Sequence, residues 1–588
     1  MASGDLIPRV YSNFRGVDFR GEEINLMRSP DSLNMWKDYK ETESIRTRPM
    51  FIKSNLRMGL EEENPGKING IFCYRDKVVV HQKNLLWWKI NGLNSDLGWK
   101  LLDGSEDSKS ANDSKSGAFI YNDNFYFKDG KRYWVVESDD TTKIKEVEGY
   151  VPTTSIGRKP LGGGKILEDV NLLTGKRINT FLADGTKEYY LDAQGIDSVD
   201  VVRVNNIEVT DYTVDAAEGK ITFDTAPEAP GTDGQDNVSI EFTKTTSGDR
   251  EKIEKCTLLE VFDNRVFFSG NPDYPNYVWH SSLDNPAYCS TLDYYIEGLD
   301  TAKITGMVAG NNALWVFKEP SQSNTSVYYH TPTIDAEYGK VYPSVHSNIS
   351  LGCVGGAINF NDDIVFFSQR GMEGVNGDIT TEQAVAHRSS LVDRRLLIEE
   401  DYKNMVLTEW EGYLVCCVGN KVYLADSRAK FTNVDHFEYE WFYWELPEKA
   451  TCAFAIDDTL CVGTELNGSA YIYTMTADNI GRVGSYEYEK EFESYWVTPK
   501  DKFKYPQYQK TTNKRGCVIE AKGDASIYVK TDKTDFELVN TYTDIGDCII
   551  CRIKRKKFKD IQLKFHSNTR FSLEQATLEC FIGGYVKR

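Results

Sequence analysis

The chain has 588 residues, and 69 Lys and Arg against 89 Asp and Glu give it a formal net charge of −20. This length predicts about three domains, or one large β unit with attachments. Hydrophobic residues make up 40% of the chain and aromatic residues 12%, which excludes wholesale disorder and favours strands. The acidic balance argues against a protein that grips nucleic acid by neutralising phosphates, but it is compatible with a surface that DNA passes without binding.

No stretch approaches the roughly 18–20 apolar residues of a membrane span. The first residues also lack the basic and apolar regions of a secretory signal. We therefore expect a protein made in a cytoplasm, with no membrane-spanning segment. The 12 cysteines are too dilute for a disulfide scaffold, and most lie in apolar strand-like runs, so we expect buried, reduced thiols.

A repeat of about 50 residues organises most of the chain. In each copy a short apolar strand, an Asn- or Asp-rich turn and an aromatic-rich strand precede a polar loop. The seven copies are Ile68–Trp88, Ala118–Val136, Cys256–Trp279, Ile304–Tyr329, the strands around Asp362, Met405–Leu424 and Ala453–Tyr473. Units of this size predict the blades of a β-propeller. A large irregular array of β-sandwiches is the alternative, because it contains similar hairpins.

The repeat is interrupted once and stops before the C-terminus. The sequence predicts an all-β fold: a seven-bladed-type β-propeller with an inserted small β-sandwich and a C-terminal β-sandwich. The predicted parts are an N-terminal arm at 1–41, propeller segments at 42–160 and 250–480, the insert at 165–246 and the C-terminal domain at 485–588. Residues 1–30 are polar and aperiodic, so we expect them to form an arm that orders only on assembly.

The sequence offers no motif for catalysis or metal binding. Its seven histidines are scattered singly, without a second ligand at metal-binding spacing. Cys548 and Cys551 form a C-x-x-C pair, but in a strand their side chains point to opposite faces. We expect no catalytic residues, no metal and no cofactor. Carboxylate pairs assembled from different blades, as in propeller glycosidases, stay an alternative.

Two surface candidates stand out. The basic strand of Arg552, Lys554, Lys556 and Lys557 alternates with apolar residues, which favours a partner-docking edge or a solvated strand face over a nucleic-acid site. The aromatic run Tyr439–Trp444 is either a sugar platform or, more commonly, the core strand of a blade.

The chain resembles phage tail proteins near its N-terminus. From Asn25 to Met35 it reads N-L-M-R-S-P-D-S-L-N-M, and R-P-M-F follows from Arg48. The family signature is roughly N-x-x-x-S-P-x-x-x-N-M … R-P-G-F. The matching residues are Asn25, Ser29, Pro30, Asn34, Met35, Arg48 and Pro49, and Met50 stands where the family usually has glycine. Segments of the insert and the ending at 576–584 also look similar to phage tail and fibre proteins.

The resemblance, together with the propeller, points to the nozzle or tail-hub proteins of short-tailed phages. It implies a homo-oligomeric ring in the virion tail, expected to be a hexamer, below the portal and adaptor rings. Tail fibres or spikes would bind its flank. Double-stranded DNA would pass through the ring during ejection without specific binding, because an acidic channel repels phosphates. The alternatives are a carbohydrate-binding or glycoside-cleaving propeller and a receptor-binding tail-tip protein.

Overall fold

The computed structural model describes residues 6–40, 44–54, 66–90, 98–104, 112–232, 234–321, 325–336, 339–375, 384–433, 436–456, 458–466, 469–475, 487–488 and 492–585. Within these ranges the helices are short: Asp249–Glu254, Asp393–Leu396 and the 3-10 turn Tyr402–Asn404. No helix in the described ranges has the length and apolar character needed to span a membrane. The chain divides into two compact units, one of Met1–Leu101 with Ser347–Arg588 and the other of Leu102–His346.

Seven antiparallel sheets in the described ranges match the seven sequence repeats, and we number them blades 1 to 7 along the chain. Six have four strands and one has five. Unit 1 holds blade 1 (Ile68–Tyr74, Lys77–Gln82, Leu85–Ile90, Lys100–Leu101), blade 5 (Ala357–Phe360, Asp363–Ser368, Gly371–Val375, Val385–His387), blade 6 (Val406–Trp410, Tyr413–Val418, Lys421–Asn433, His436–Glu445) and blade 7 (Ala450–Ile456, Thr459–Leu466, Ser469–Met475, Phe51–Ser54, Glu487–Tyr488). Unit 2 holds blade 2 (Gly117–Tyr121, Asn124–Lys128, Tyr133–Val136, Lys145–Glu146), blade 3 (Leu258–Phe262, Arg265–Ser269, Tyr277–His280, Tyr294–Ile296) and blade 4 (Ile304–Gly310, Ala313–Lys318, Val327–His330, Ser344–His346, with the ribbon Thr333–Asp335 and Gly339–Val341).

Within each unit, neighbouring blades contact each other through their first strands. In unit 1 the first strand of blade 7 contacts those of blades 6 and 1, and the first strand of blade 6 contacts that of blade 5. In unit 2 the first strands of blades 2, 3 and 4 contact one another in the same order. Blade 7 is completed by Phe51–Ser54, which pairs with Ser469–Met475. The predicted all-β propeller fold is confirmed by this sheet topology.

The turns explain why Asn and Asp recur in the repeat. Between the first two strands of blades 2 to 5, two successive residues have positive φ: Asn122 and Asp123, Asp263 and Asn264, Asn311 and Asn312, and Asn361 and Asp362. Two successive left-handed residues define the tight hairpin turn whose twist matches that of the strands. Asn and Asp tolerate this conformation better than other side chains do.

The insert forms a two-sheet module inside unit 2. One sheet contains Lys165–Ile166, Thr153–Arg158, Lys176–Phe181, Val238–Thr243, Ser198–Val204 and Ile207–Glu208, and the other contains Glu188–Tyr190, Lys220–Phe223 and Tyr212–Asp215. Side chains such as Phe181, Tyr189 and Phe242 form its own buried core. The module therefore has the sandwich character expected of residues 165–246, but it begins earlier, at Thr153.

Between two strands of this module, Lys165–Ile166 and Lys176–Phe181, a short segment packs against the neighbouring blades instead. Leu172 and Leu173 lie in the hydrophobic core of blades 2 and 3, with Trp279 and Ile253. The Leu172 N–H donates to the Cys289 carbonyl at 2.8 Å. Residues near 172 therefore pack with the blades and not with the module, a contact that no local sequence pattern indicates.

The C-terminal strands form one hydrogen-bonded sheet, eleven-stranded within the described ranges. Its strands are Leu6–Tyr11, Ser32–Leu33, Met35–Trp36, Ile45–Thr47, Ser494–Val497, Tyr508–Thr531, Thr534–Ile545, Cys548–Cys551, Lys557–Phe558, Ile561–Ser567 and Phe571–Tyr585. The long strand Tyr508–Thr531 pairs with five others along its length. A separate parallel pair joins Gly16–Val17 to Arg28–Ser29.

The N-terminal segment is built into this sheet, in contrast to the arm expected at 1–41. Leu6–Tyr11 pairs with Phe571–Tyr585, and Ser32–Leu33 pairs with Ser494–Val497. Tyr11 and Phe14 are buried in the core that blades 6 and 7 share with the C-terminal sheet. The described part of the segment is therefore ordered within the chain itself. Its strand partners lie at the opposite end of the sequence, where local patterns do not reveal them.

We expect the insert to be removable without loss of the blades if the cut respects the Leu172 contact. Lys176 and Thr243 are paired neighbours, so a short Gly-Ser linker can replace residues 177–242. This deletion should leave the urea midpoint of unit 2 close to that of the full chain, as followed by tryptophan fluorescence. Deleting 165–246 should lower it, because losing a buried leucine costs about 2–5 kcal/mol. Equal destabilisation by both deletions would contradict a separable module.

Candidate functional site

The signature residues divide into a buried and an outer group. Ser29, Asn34, Met35 and Arg48 are at most 3% exposed, whereas Pro30 and Pro49 are half-buried and Asn25 is exposed. Asn25 only closes a local turn, in which its Oδ1 accepts the Met27 N–H at 3.0 Å. The buried four, together with Arg28, lie where blade 6 meets the C-terminal sheet. We name these five residues the joint.

Asn34 makes the central contacts of the joint. Its side-chain oxygen accepts the Glu445 N–H at 2.9 Å and the Arg48 Nε–H at 3.0 Å. Its amide nitrogen donates to the Glu493 carbonyl at 2.8 Å. The residue has φ of 54°, a left-handed conformation that asparagine tolerates. One side chain therefore links blade 6, the N-terminal segment and the chain that enters the C-terminal sheet.

Arg48 reinforces the same junction. Its Nη2 donates to the Glu445 carbonyl at 3.0 Å, and its backbone N–H donates to the Asn34 carbonyl at 2.8 Å. The guanidinium lies 3.7 Å from the centre of the Phe492 ring. Arginine suits this position because its planar group stacks on a ring while its edge donates hydrogen bonds.

Ser29 and Arg28 fix the other side of the joint. The Ser29 hydroxyl donates to the Val497 carbonyl at 2.7 Å, in the C-terminal sheet. Arg28 forms a bidentate pair with Glu440 of blade 6, at 2.8 and 2.7 Å, and both side chains are buried. A buried pair of this kind adds geometric specificity, since either partner alone would be an uncompensated charge.

A cavity of about 470 Å³ opens beside the joint, and we name it the basic pocket. It is lined by Asn13, Phe14, Arg15, Met27, Lys37, Tyr39, Arg428, Ala429 and Lys430. The last two strands of blade 6 shift register between Asp426 and Lys430. The strand therefore bulges where its residues line the cavity. Bulges re-aim side chains and are frequent beside functional sites. Sequence reasoning missed this site, because its two walls are far apart in the chain.

The predicted basic strand is exposed on the C-terminal sheet. Arg552, Lys554 and Lys557 face solvent, and among the described residues no carboxylate lies within ion-pair distance of them. Lys556 differs, because it pairs with Glu537. Ile553 and Phe558 are buried, which confirms the alternation that the sequence indicated.

The strand that pairs with this segment adds two more basic residues. Thr512 exchanges hydrogen bonds with the Lys556 backbone, and Gly516 packs directly against Arg552 and Ile553. The exposed Lys514 and Arg515 lie between these two contacts. The structure thus enlarges the basic strand into a wider basic edge.

The aromatic run 439–444 belongs to the core. Tyr439, Trp441, Phe442, Tyr443 and Trp444 are all buried in blade 6. The run is therefore the core strand of a blade and not a sugar platform, which was the commoner of the two expectations.

One group of side chains in blade 5 has the composition of a catalytic triad but a different geometry. His387 lies between two carboxylates, 3.2 Å from Glu373 and 2.6 Å from Asp393. The buried Ser389 hydroxyl donates to Asp393 at 2.6 Å and not to the imidazole, so no base activates it.

Within the described ranges no cluster of three His, Cys, Asp or Glu side chains could hold a metal. Cys551 is buried and Cys548 is exposed, as expected for opposite faces of a strand.

Comparisons with known proteins give only distant similarities. No family model matches the chain, and no curated protein matches it. Among solved structures, BamB from Moraxella catarrhalis is 8% identical with a TM-score of 0.33, covering 74% of this chain and 99% of that one. The AfRom2 CNH domain is 6% identical with a TM-score of 0.35, covering 71% and 97%. An exo-beta-1,3-galactanase from Phanerochaete chrysosporium is 10% identical with a TM-score of 0.21, covering 54% and 94%. These TM-scores are too low to assign a function.

The joint should be a major determinant of stability in unit 1. Asn34→Ala leaves the Glu445 N–H and the Glu493 carbonyl without their partner and places alanine in a left-handed conformation, so we expect a loss of about 3 kcal/mol in the free energy of unfolding. Asn25→Ala is the matched control from the same signature, and its exposed site predicts a change within about 0.5 kcal/mol. Urea unfolding monitored by tryptophan fluorescence measures both, and similar values for the two variants would contradict a structural joint.

His387 should make stability fall as the pH rises. Burial disfavours its charged form, but the hydrogen bonds to Asp393 and Glu373 outweigh this and raise its pKa from 6.5 to about 10. A raised pKa means that the folded state holds a proton which the unfolded state loses. The stabilisation is therefore complete below about pH 6.5 and lost by about pH 10. Urea midpoints across this range should decline in the wild type, and His387→Gln should remove that part of the decline.

Proposed function

We propose that this chain is a virion structural protein that forms a tail nozzle or hub ring in a short-tailed phage. In this role identical copies assemble into a closed ring, expected to be a hexamer, below the portal and adaptor rings. The ring surrounds part of the channel through which DNA is ejected. It also offers a platform to which tail fibres or spikes dock. Its role is structural, with no catalytic step.

The joint is the observation that carries this proposal. The buried members of the N-terminal signature connect blade 6 to the C-terminal sheet, and they do so through their own side chains. A signature shared by a family is expected to specify what its members have in common. Residues that fix how a propeller blade joins a terminal sheet would recur in proteins that share this architecture, independently of any substrate.

The basic edge supports the docking part of the proposal. Arg552, Lys554 and Lys557 are exposed without acidic partners in the described ranges, although the whole chain carries a charge of −20. Opposite charges steer and orient an incoming partner more than they add affinity. An acidic fibre, spike or neighbouring ring surface is the partner that this edge fits best.

The oligomeric state of the purified full-length chain tests the proposal. We expect ring-shaped particles in negative-stain electron microscopy and a single assembly of about six copies in mass photometry, as closed cyclic symmetry requires. If the chain alone stays monomeric, rings should form when the adaptor ring from the same virion is added. No turnover of glycan substrates is expected in either state.

Two outcomes would contradict a nozzle ring. A stable monomer that binds or cleaves glycans would favour the carbohydrate-active propeller. A trimer that binds host cells would favour a receptor-binding tail tip. Arg552→Glu with Lys557→Glu should leave the ring intact, because both side chains are exposed and unpaired among the described residues, and should weaken fibre attachment to the ring.

A further inference from the structure

The basic pocket concentrates positive charge in an acidic protein. Four of its nine lining residues are cationic: Arg15, Lys37, Arg428 and Lys430. In the described ranges no carboxylate pairs with Lys37 or Lys430. Asp38, the neighbour of Lys37, is instead bound to Arg46 at 3.2 Å. The Lys37 ammonium lies 5.3 Å from the centre of the Tyr39 ring in the same lining, whereas the Lys430 ammonium lies over the Phe437 ring at 4.4 Å. Neither ammonium has a counter-charge from these parts of the chain.

The carboxylates beneath the pocket are already neutralised. Glu440 accepts both donors of Arg28, and Arg15 approaches the same carboxylate at 3.7 Å. Asp426 accepts the Tyr39 hydroxyl at 2.5 Å and the Arg428 backbone N–H at 3.0 Å.

The charge balance of the pocket follows from these pairs. Five cations, namely the four lining ones and Arg28, face the two buried carboxylates Glu440 and Asp426. These seven side chains thus sum to a formal charge of +3. Both carboxylates are fully buried, so a ligand in the pocket cannot contact them.

Apolar and aromatic groups share the lining with the cations. Phe14, Met27, Tyr39 and Ala429 contribute to the wall. The Arg428 guanidinium stacks over the Tyr39 ring at 3.7 Å, which holds its planar group in place. Arginine and tyrosine held in this way are typical anchors of protein–protein contacts.

We propose that the basic pocket binds a short acidic peptide segment of a partner protein, one that carries an apolar side chain next to its carboxylates. Lys37 would take up a carboxylate together with the edge of the Arg428 guanidinium, and Lys430 would add a further positive charge to the lining. The half-buried Met27 and the exposed Tyr39 ring would receive the apolar side chain. The cavity size of about 470 Å³ suits several side chains and lies within the range of ligand pockets.

A peptide fits this lining better than a phosphate does. Phosphate sites commonly present backbone N–H groups at a helix N-terminus or in a glycine-rich loop. No helix contributes to the lining of this cavity, and apolar side chains occupy part of its wall. A single phosphate would also leave most of the volume unfilled. The inference depends on unit 1 alone, so it stands or fails independently of the tail function.

Fluorescence anisotropy with a labelled peptide tests this inference on the full-length chain. The probe is the hexapeptide Glu-Phe-Glu-Asp-Phe-Glu, and a peptide with Gln and Asn in place of the acids is its neutral counterpart. We expect saturable binding of the acidic probe only. Lys37→Ala with Lys430→Ala should weaken binding roughly tenfold or more, since each charge-assisted contact contributes measurably.

The matched control removes the same charge elsewhere. Lys159→Ala with Lys165→Ala lies in the insert module of unit 2, where both side chains are exposed, and should bind the probe like the wild type. Circular dichroism should show all variants folded, because the four lysine side chains are not buried. Wild-type affinity in the Lys37 and Lys430 variant, or equal weakening by the control, would overturn the assignment to the pocket.

Two competitors decide the class of ligand. Inorganic tripolyphosphate and a single-stranded oligonucleotide are titrated against the bound probe at one fixed salt concentration. Displacement by either at lower concentration than the unlabelled peptide would overturn the peptide assignment and indicate a phosphate site. Failure of the wild type to bind the probe at millimolar concentration would overturn the proposal altogether.

Discussion

The Asn34 side chain is the constraint on which the rest of unit 1 depends. Its amide contacts three segments that are far apart in the sequence, and its backbone adopts a conformation that few residues tolerate. Around it lie the large rings of Trp36, Trp444 and Trp496. Burial of such rings stabilises the fold, but burial has no direction. The hydrogen bonds are directional, and a buried amide without its partners is costly, so they select one arrangement of blade and sheet.

Charge in this protein is organised by burial. Several ionic side chains buried in unit 1 are paired with opposite charges, as in Arg28 with Glu440 and Arg388 with Asp363. The basic pocket and the basic edge each bring together cations without such partners in the described ranges. Because the chain carries a formal charge of −20, its positive regions are local exceptions. Local exceptions of this kind are where an acidic partner is oriented, whereas the remaining surface repels it.

Short-range information explains what the sequence could predict. The Asn311 and Asn312 turn needs only two residues to specify a tight hairpin, and such turns made the blade repeat visible. The burial of Ile553 and Phe558 also followed from simple alternation. The pairing of Leu6–Tyr11 with Phe571–Tyr585 could not be predicted, because the residue pattern of a strand does not show which other strand it pairs with.

The same limit applies to the candidate site. The signature singled out Asn34 and Arg48, but only the structure shows that both contact Glu445 and that Asn34 also contacts Glu493. Arg15 and Lys430 read as ordinary surface charges until the fold brings them to one cavity. Leu172 likewise sits in a stretch that looked like part of the insert. In each case the decisive contact joins distant segments.

The pairing of early strands with late strands of the chain has a consequence for its synthesis. Leu6–Tyr11 and Phe51–Ser54 leave the ribosome long before their partners, Phe571–Tyr585 and Ser469–Met475. These early strands therefore lack those partners while the residues between them are made, and contacts of such long sequence separation form slowly. Blade 7 closes only after Ser469–Met475 has been made, and the C-terminal sheet only after Phe571–Tyr585 has been made. Chains that stop before these strands are thereby excluded from the native fold, and with it from any assembly built on that fold.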